Sequence, residues 1–143
     1  MMFSVNAQTY TGKVVKVKDG DTVAVLDSTK TVHNIRVAGV DAPEKNQDFG
    51  SVAKQFVSNQ IFGKYVKVKI QTRDIYGREI AFIYYDNKSL SEELLKNGLA
   101  WHYTQYDKNK YLQFLEDNAK KQGVGLWIIT NPVPPSKFRK QPH

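Results

Sequence analysis

The chain has 143 residues, enough for one domain with a hydrophobic core. Apolar residues make up 41% and aromatics 12%, which argues against a disordered chain, and 21 Lys and Arg against 14 Asp and Glu leave a formal charge of +7. That charge favours an anionic partner, nucleic acid before a membrane surface. There is no cysteine, which excludes disulfides and thiolate metal sites, and no apolar run approaches the length of a membrane span.

Taken in order, residues 1–9 read as a leader remnant or flexible segment. Val5-x-Ala7 fits the small-residue pattern before a signal-peptidase cut, while the basic and long apolar parts of a leader are missing. The expectation is an exported protein, secreted or periplasmic, with its signal peptide trimmed. Residues 10–18 have strand composition. Asp19-Gly20 is a hairpin signal, because glycine tolerates positive φ, and residues 21–26 form the return strand. A third strand is expected over 31–40, with Gly39 marking a bulge or a close backbone approach. A helix over 49–62 carries Val52, Ala53, Phe56, Val57 and Ile61 on one face and stops at Gly63.

Two more strands follow, 65–73 and 79–85, joined by a turn containing Tyr76-Gly77. Ser89-Leu90-Ser91-Glu92 matches a capping box, and the short helix it starts ends at Gly98. A last helix covers 109–122, with Leu112, Leu115 and Ala119 on one face and Gly123 as its stop. Five strands with a helix after the third make an α+β chain, an OB-type five-stranded small barrel with three helices, over residues 10–130. Residues 131–143 form a Pro-rich basic tail that reads as extended. It is either solvated or a strap folded back through Trp127 and Phe138. Nothing in the chain demands more than a monomer.

The chemistry gathers at Arg36-Val37-Ala38-Gly39-Val40-Asp41-Ala42-Pro43-Glu44. Strand alternation sends Arg36 to the face opposite Ile35 and Val37, and Pro43 fixes an extended corner. Asp21 opens the second strand and Asp41 closes the third, so a curled sheet brings both to one rim. Two carboxylates and the Ala42 carbonyl are hard oxygen ligands suited to Ca²⁺, with Asp19 within reach directly or through water. A cation flanked by oxygens beside an arginine is equipment for phosphate chemistry. Taken singly, each piece is ordinary: Asp19-Gly20-Asp21 is turn chemistry, Asp-x-Pro-Glu a loop and cap, Arg36 a surface strand residue, and 73–78 a solvated hairpin.

As a set, three motifs resemble the staphylococcal-nuclease-like thermonucleases: Asp19-Gly20-Asp21-Thr22, Arg36-x-x-Gly39-Val40-Asp41-Ala42-Pro43-Glu44, and Asp74-x-Tyr76-Gly77-Arg78. Glu93 to Ala100 and Ala119-Lys120-x-x-Gly123-x-Gly125-Leu126-Trp127 share the resemblance, which covers about residues 10 to 130. It implies a Ca²⁺-dependent phosphodiesterase acting on DNA and RNA and leaving 5′-hydroxyl and 3′-phosphate ends. It also implies Ca²⁺ ligation by Asp21, Asp41 and the Ala42 carbonyl, with Asp19 in the outer sphere. Glu44 would orient or deprotonate the attacking water, and Arg36 and Arg78 would bind the scissile phosphate. Relative to the family, Lys45-Asn46-Gln47-Asp48 is a short loop, and Thr104 replaces a tyrosine while Tyr106 is retained.

Tyr76, Tyr103 and Tyr106 are candidates for stacking on bases or bonding phosphate, and ordinary packing is the alternative for each. His102 reads as a structural histidine. The competing functional class is a catalytically silent OB-type module that binds single-stranded nucleic acid. A basic inhibitor or adaptor that binds acidic protein surfaces is weaker. Every acid and arginine of the nuclease pattern is in place.

Overall fold

The computed structural model describes residues 8–141, so the Val5-x-Ala7 pattern lies outside the described residues. Strand β1 (Thr9–Asp19) pairs antiparallel with β2 (Thr22–Asp27) and, on its other edge, with β5 (Tyr65–Arg73). β2 continues to β3 (Val32–Val37), and β5 pairs with β6 (Glu79–Tyr85). A parallel pairing of β3 with β6, Ile35 opposite Glu79 and Val37 opposite Ala81, closes the barrel. Register shifts between Val14 and Lys16 in β1 and between Ile70 and Thr72 in β5 add the local twist that closure needs. The OB-type barrel read from the sequence is present.

Alternation puts Val14, Val23, Val25, Ile35, Val37, Val66, Val68, Ala81 and Ile83 inside, all but inaccessible to water. Each valine and isoleucine among them contributes about 1.5–3 kcal/mol by leaving water. Helix α1 (Gly50–Ile61) adds Ala53, Val57 and Ile61 to this core and ends at Gly63, whose φ is 77°. Val52, expected on the buried face, is exposed; the inward stripe is Ala53, Val57 and Ile61, spaced at four residues. Helix α2 (Leu90–Lys96) is capped by the Ser89 hydroxyl, which accepts from the Glu92 N–H. Helix α3 (Lys110–Gln122) is capped by the Asn109 side chain and stopped by Gly123 at φ 65°. Leu90, Leu94 and Leu95 of α2 and Leu112 and Leu115 of α3 extend the core outside the barrel.

Four features depart from the sequence reading. The third strand ends at Val37, not at residue 40: Ala38 and Gly39 turn, with Gly39 at φ 80°, and Val40–Asp41 form a separate short strand, β4. β4 pairs with β8 (Trp101–His102), placing Asp41 opposite Trp101. Asp86 and Asn87, both at positive φ, turn β6 back into the two-residue β7 (Lys88–Ser89). The tail is not extended throughout: after a 3-10 turn at Gly125–Ile128, residues Pro135–Lys140 form helix α4, with proline in the first turn where no N–H is needed. Among the described residues no helix is long and apolar enough to cross a membrane.

Candidate functional site

The β1–β2 turn carries Gly20, and a Cβ there would stand 2.9 Å from both the Ala42 and Ala53 side chains. Only glycine lets this turn press against the corner and α1. The next residue, Asp21, is thereby held against β3 and the corner. Its main-chain carbonyl accepts from the Val37 N–H at 2.8 Å, and its Oδ2 accepts from the Ala42 N–H at 2.8 Å. The Thr22 hydroxyl donates to Oδ1 at 3.0 Å.

Arg36, near the end of β3, reaches across the Ala38–Gly39 turn. Its Nη1 donates to the carbonyls of Val37 and Val40, both at 2.7 Å. Nη2 lies 3.1 Å from Asp41 Oδ1 and 3.5 Å from Asp21 Oδ2, so one nitrogen is shared by the two acids. Arg36 is therefore both a turn brace and the cation between the carboxylates. Its guanidinium also sits over the Tyr103 ring, 5.6 Å from the centroid.

Asp21 and Asp41 are both buried, at 8% and 5% exposure, which marks the pair as a site rather than surface decoration. Burial pushes the Asp41 carboxyl up to about 6; Arg36 opposes this, and the charges of Asp21 and Glu44 reinforce it. Asp19 is raised as well, by burial and then by Asp21 and Glu44. Four carboxylates thus feel one another at one rim, an arrangement that attracts a cation. Among the described residues no group of three or more His, Cys, Asp or Glu side chains stands close enough to hold a metal ion. The oxygen donors brought together are Asp21 and Asp41, joined through the Ala42 N–H that Asp21 accepts.

Glu44 follows the corner. Its N–H donates to Gln47 Oε1 at 2.9 Å, and its carbonyl accepts from the Gln47 N–H at 2.9 Å. A Cβ on Gly50 would lie 2.0 Å from the Glu44 carbonyl oxygen, so the start of α1 packs directly on this residue. The Glu44 carboxylate pairs with Arg139 of α4, whose Nη2 also lies 3.7 Å from Asp41 Oδ2. The motif reading missed Arg139. The basic run Lys137-Phe138-Arg139-Lys140 was its only local signal.

Arg78 belongs to the β5–β6 loop. It precedes Glu79, which is opposite Ile35, so Arg36 and Arg78 emerge from neighbouring strands of the closing pair. Its Nε donates to Asp74 Oδ2 at 2.7 Å, and Asp74 Oδ1 accepts the Tyr76 and Arg78 N–H groups at 3.0 and 2.9 Å. Asp74 therefore holds the guanidinium within its own loop, not against Asp21 or Asp41. Of the three tyrosines, Tyr103 lines the site, half-buried, its hydroxyl raised by burial and by the Asp41 charge. Tyr106 meets it edge-on at 5.0 Å and is 75% exposed; Tyr76 is 78% exposed at the tip of its loop. His102 is structural: its ring bonds Asp107 and Gln113, both at 2.8 Å, and its N–H donates to buried Glu116.

Residues 34–129 match the family model described as staphylococcal nuclease homologue. The chain belongs to that family. The match takes in Arg36, Asp41, Glu44 and Arg78, while Asp21 and Arg139 lie outside it. A relative from Haemophilus influenzae named "uncharacterized endonuclease" is 37% identical over 131 residues, covering 92% of this chain and 74% of its own. Another protein of that name, from Escherichia coli O157:H7, is 41% identical over 129 residues, with 90% and 84% covered. The staphylococcal-like nuclease CAN1 of Arabidopsis thaliana is 42% identical over 106 residues, which is 74% of this nuclease homologue and 33% of the plant protein.

Proposed function

We propose that this family member is a Ca²⁺-dependent nuclease that hydrolyses phosphodiester bonds of DNA and RNA with little sequence specificity, leaving 5′-hydroxyl and 3′-phosphate ends. The observation that carries this reading is the Asp21–Arg36–Asp41 cluster: two buried carboxylates sharing one guanidinium nitrogen at the barrel rim. The donor set fits a hard cation. It is all oxygen, and burial holds the Asp41 carboxyl up at about 6 despite Arg36 and Arg139 beside it. Asp21, Asp41 and the Ala42 carbonyl would hold Ca²⁺, with Asp19 in the outer sphere. Bound there, the ion would supply electrophilic stabilisation of a phosphoryl oxygen.

The protein's own residues do the rest. Glu44 orients a water and takes its proton as the water oxygen attacks phosphorus. The 5′-oxygen departs with the electron pair of the P–O bond and is protonated from solvent. Negative charge grows on the phosphoryl oxygens during attack, and fixed cations there lower the barrier. Arg36 offers what its backbone contacts leave free, and Arg78 must leave Asp74 to contribute. Tyr103, against Arg36, and the exposed Tyr106 and Tyr76 offer rings to flanking bases.

The test is incubation with single-stranded DNA in Ca²⁺ and in chelator. Ca²⁺-dependent fragments ending in 3′-phosphate are the expected result, and binding without cleavage would overturn the reading in favour of a nucleic-acid-binding module. We also propose that the protein acts outside the cytoplasm, secreted or periplasmic, a reading supported by the Val5-x-Ala7 pattern. Sequencing the N-terminus of the native product from the culture medium or periplasm checks that assignment.

A further inference from the structure

The tail returns to the site at two points, and both lead to Glu44. Arg139 Nη1 donates to the Glu44 carboxylate, a contact between residues 95 apart in sequence. Gln47 makes the second link. Its Oε1 accepts the Glu44 N–H at 2.9 Å, while its Nε2 donates to the Val133 carbonyl. Main chain and side chain of Glu44 are thus both tied, one through Gln47 and one directly, to residues 133–139.

An ion pair this exposed, 46% at Arg139 and 32% at Glu44, adds little to stability. Its consequence is positional. Glu44 and Asp41 share the Arg139 guanidinium, Nη1 on Glu44 and Nη2 3.7 Å from Asp41 Oδ2, so two acids face one cation here. A carboxylate 32% exposed next to another acid is free to turn towards solvent unless a counter-charge holds it. Arg36 does not hold it, because that guanidinium is committed to Asp41, Asp21 and two carbonyls. Arg139 supplies the missing counter-charge and, through its 3.7 Å approach to Asp41, fixes where Glu44 sits relative to the acid pair.

We infer that Arg139 is a positioning residue for phosphodiester hydrolysis, the C-terminal strap holding the Glu44 carboxylate at the rim of the acidic cluster. The inference rests on the nuclease reading of that cluster. Arg139 acts through Glu44: it orders the group that meets water. Since ångström-scale misplacement of a reacting group costs about 10²-fold in rate, a loosened Glu44 lowers turnover more than substrate binding.

The experiment compares the full chain with its Arg139→Gln and Arg139→Lys variants on single-stranded DNA at saturating Ca²⁺. Ca²⁺ binding without substrate is measured by calorimetry, and thermal unfolding is followed alongside. Arg139→Gln is expected to lose about 10- to 100-fold in kcat with KM within about threefold, at an unchanged Tm. Arg139→Lys recovers part of the loss, and added free guanidinium restores part of the activity of Arg139→Gln. The Ca²⁺ affinity of Arg139→Gln is expected to stay within about threefold of the parent, because the half-exposed Arg139 reaches Asp41 only at 3.7 Å, where a solvent-screened charge counts for little.

Unchanged or increased turnover in Arg139→Gln overturns the inference. So does a loss confined to KM, a loss that tracks a fall in Tm, or a rise in Ca²⁺ affinity of about tenfold, which would mark a plug that keeps the cation out. The parent protein is the control that separates the two readings. A parent that does not cleave refutes the nuclease assignment, whereas an active parent with an equally active Arg139→Gln refutes only the role of the strap.

Discussion

The Asp21 carboxylate accepts the main-chain N–H of Ala42 at 2.8 Å, and this one bond joins the β1–β2 turn to the corner that carries Asp41 and Glu44. It forms because Gly20 lets the turn approach, with Ala42 and Ala53 each only 2.9 Å from where a Cβ would stand. Gly20→Val is therefore expected to pry the turn from the corner. Forcing carbon into a packed contact costs about 1–3 kcal/mol, so the urea midpoint should fall and nuclease activity with it. A Gly20→Val protein with parental stability and turnover would show that the approach is not needed.

Arg36 has two tasks, and Arg36→Lys separates them. Lysine keeps a charge near Asp41 but cannot also bridge the Val37 and Val40 carbonyls with a planar fork. The sequence alone suggests an effect on catalysis with the fold unharmed. The geometry adds a stability cost, about 1–3 kcal/mol for carbonyls left without their donor. Turnover should fall by about 10²-fold or more, from lost phosphate binding and a loosened Ala38–Gly39 turn. Parental thermal unfolding in Arg36→Lys would remove the bracing role.

On the proposed function, Asp41 should set a lower pH limit on Ca²⁺ binding. Burial raises its carboxyl to about 6, so this acid binds a proton more readily folded than unfolded. Its protonation therefore favours the folded state fully below the ordinary value of 3.8, and that contribution is lost as pH rises through about 6. A cation must displace that proton, so Ca²⁺ affinity measured by calorimetry should fall as pH drops below about 6. Affinity that is flat between about pH 5 and pH 8 would contradict the placement of Asp41 among the ligands.

What the sequence made legible was local. Gly63 and Gly123 ended helices where expected, both at positive φ, because a left-handed stop needs no information from elsewhere in the chain. Arg36, Asp41 and Glu44 could be grouped because one corner carries all three. The β4–β8 pair was invisible, since two-residue strands have no periodicity and Val40 and His102 are far apart in the chain, with α1, β5, β6 and α2 between them. Arg139 was invisible for the same reason on a longer scale: a basic helix in a tail gives no sign of which carboxylate it will meet. Arg78 was legible in kind and not in placement, because Asp74, four residues before it, competes for the guanidinium.

A pH dependence of stability should also come from His33 of β3, next to the closing pair. Its Nε2 lies 2.6 Å from Asp27 Oδ2 and its Nδ1 2.5 Å from Glu79 Oε2, while Tyr10 stacks on the ring at 4.2 Å and donates its hydroxyl to Glu79. Burial disfavours the imidazolium, but the hydrogen bonds to Asp27 and Glu79 outweigh it, so His33 titrates above its ordinary 6.5. A raised imidazole stabilises the fold fully below 6.5, and that stabilisation is lost as pH rises through the folded value. Asp27 is lowered, chiefly by its bond to His33, so its contribution holds above 3.8 and fails as pH falls below that. The two windows overlap between 3.8 and 6.5, where His33 and Asp27 are both charged. His33→Gln should therefore lose about 1–3 kcal/mol relative to the parent near pH 5, by urea unfolding, and much less near pH 9. A stability difference that does not change between those pH values would mean that His33 is held by packing against Tyr10 and not by its two carboxylates.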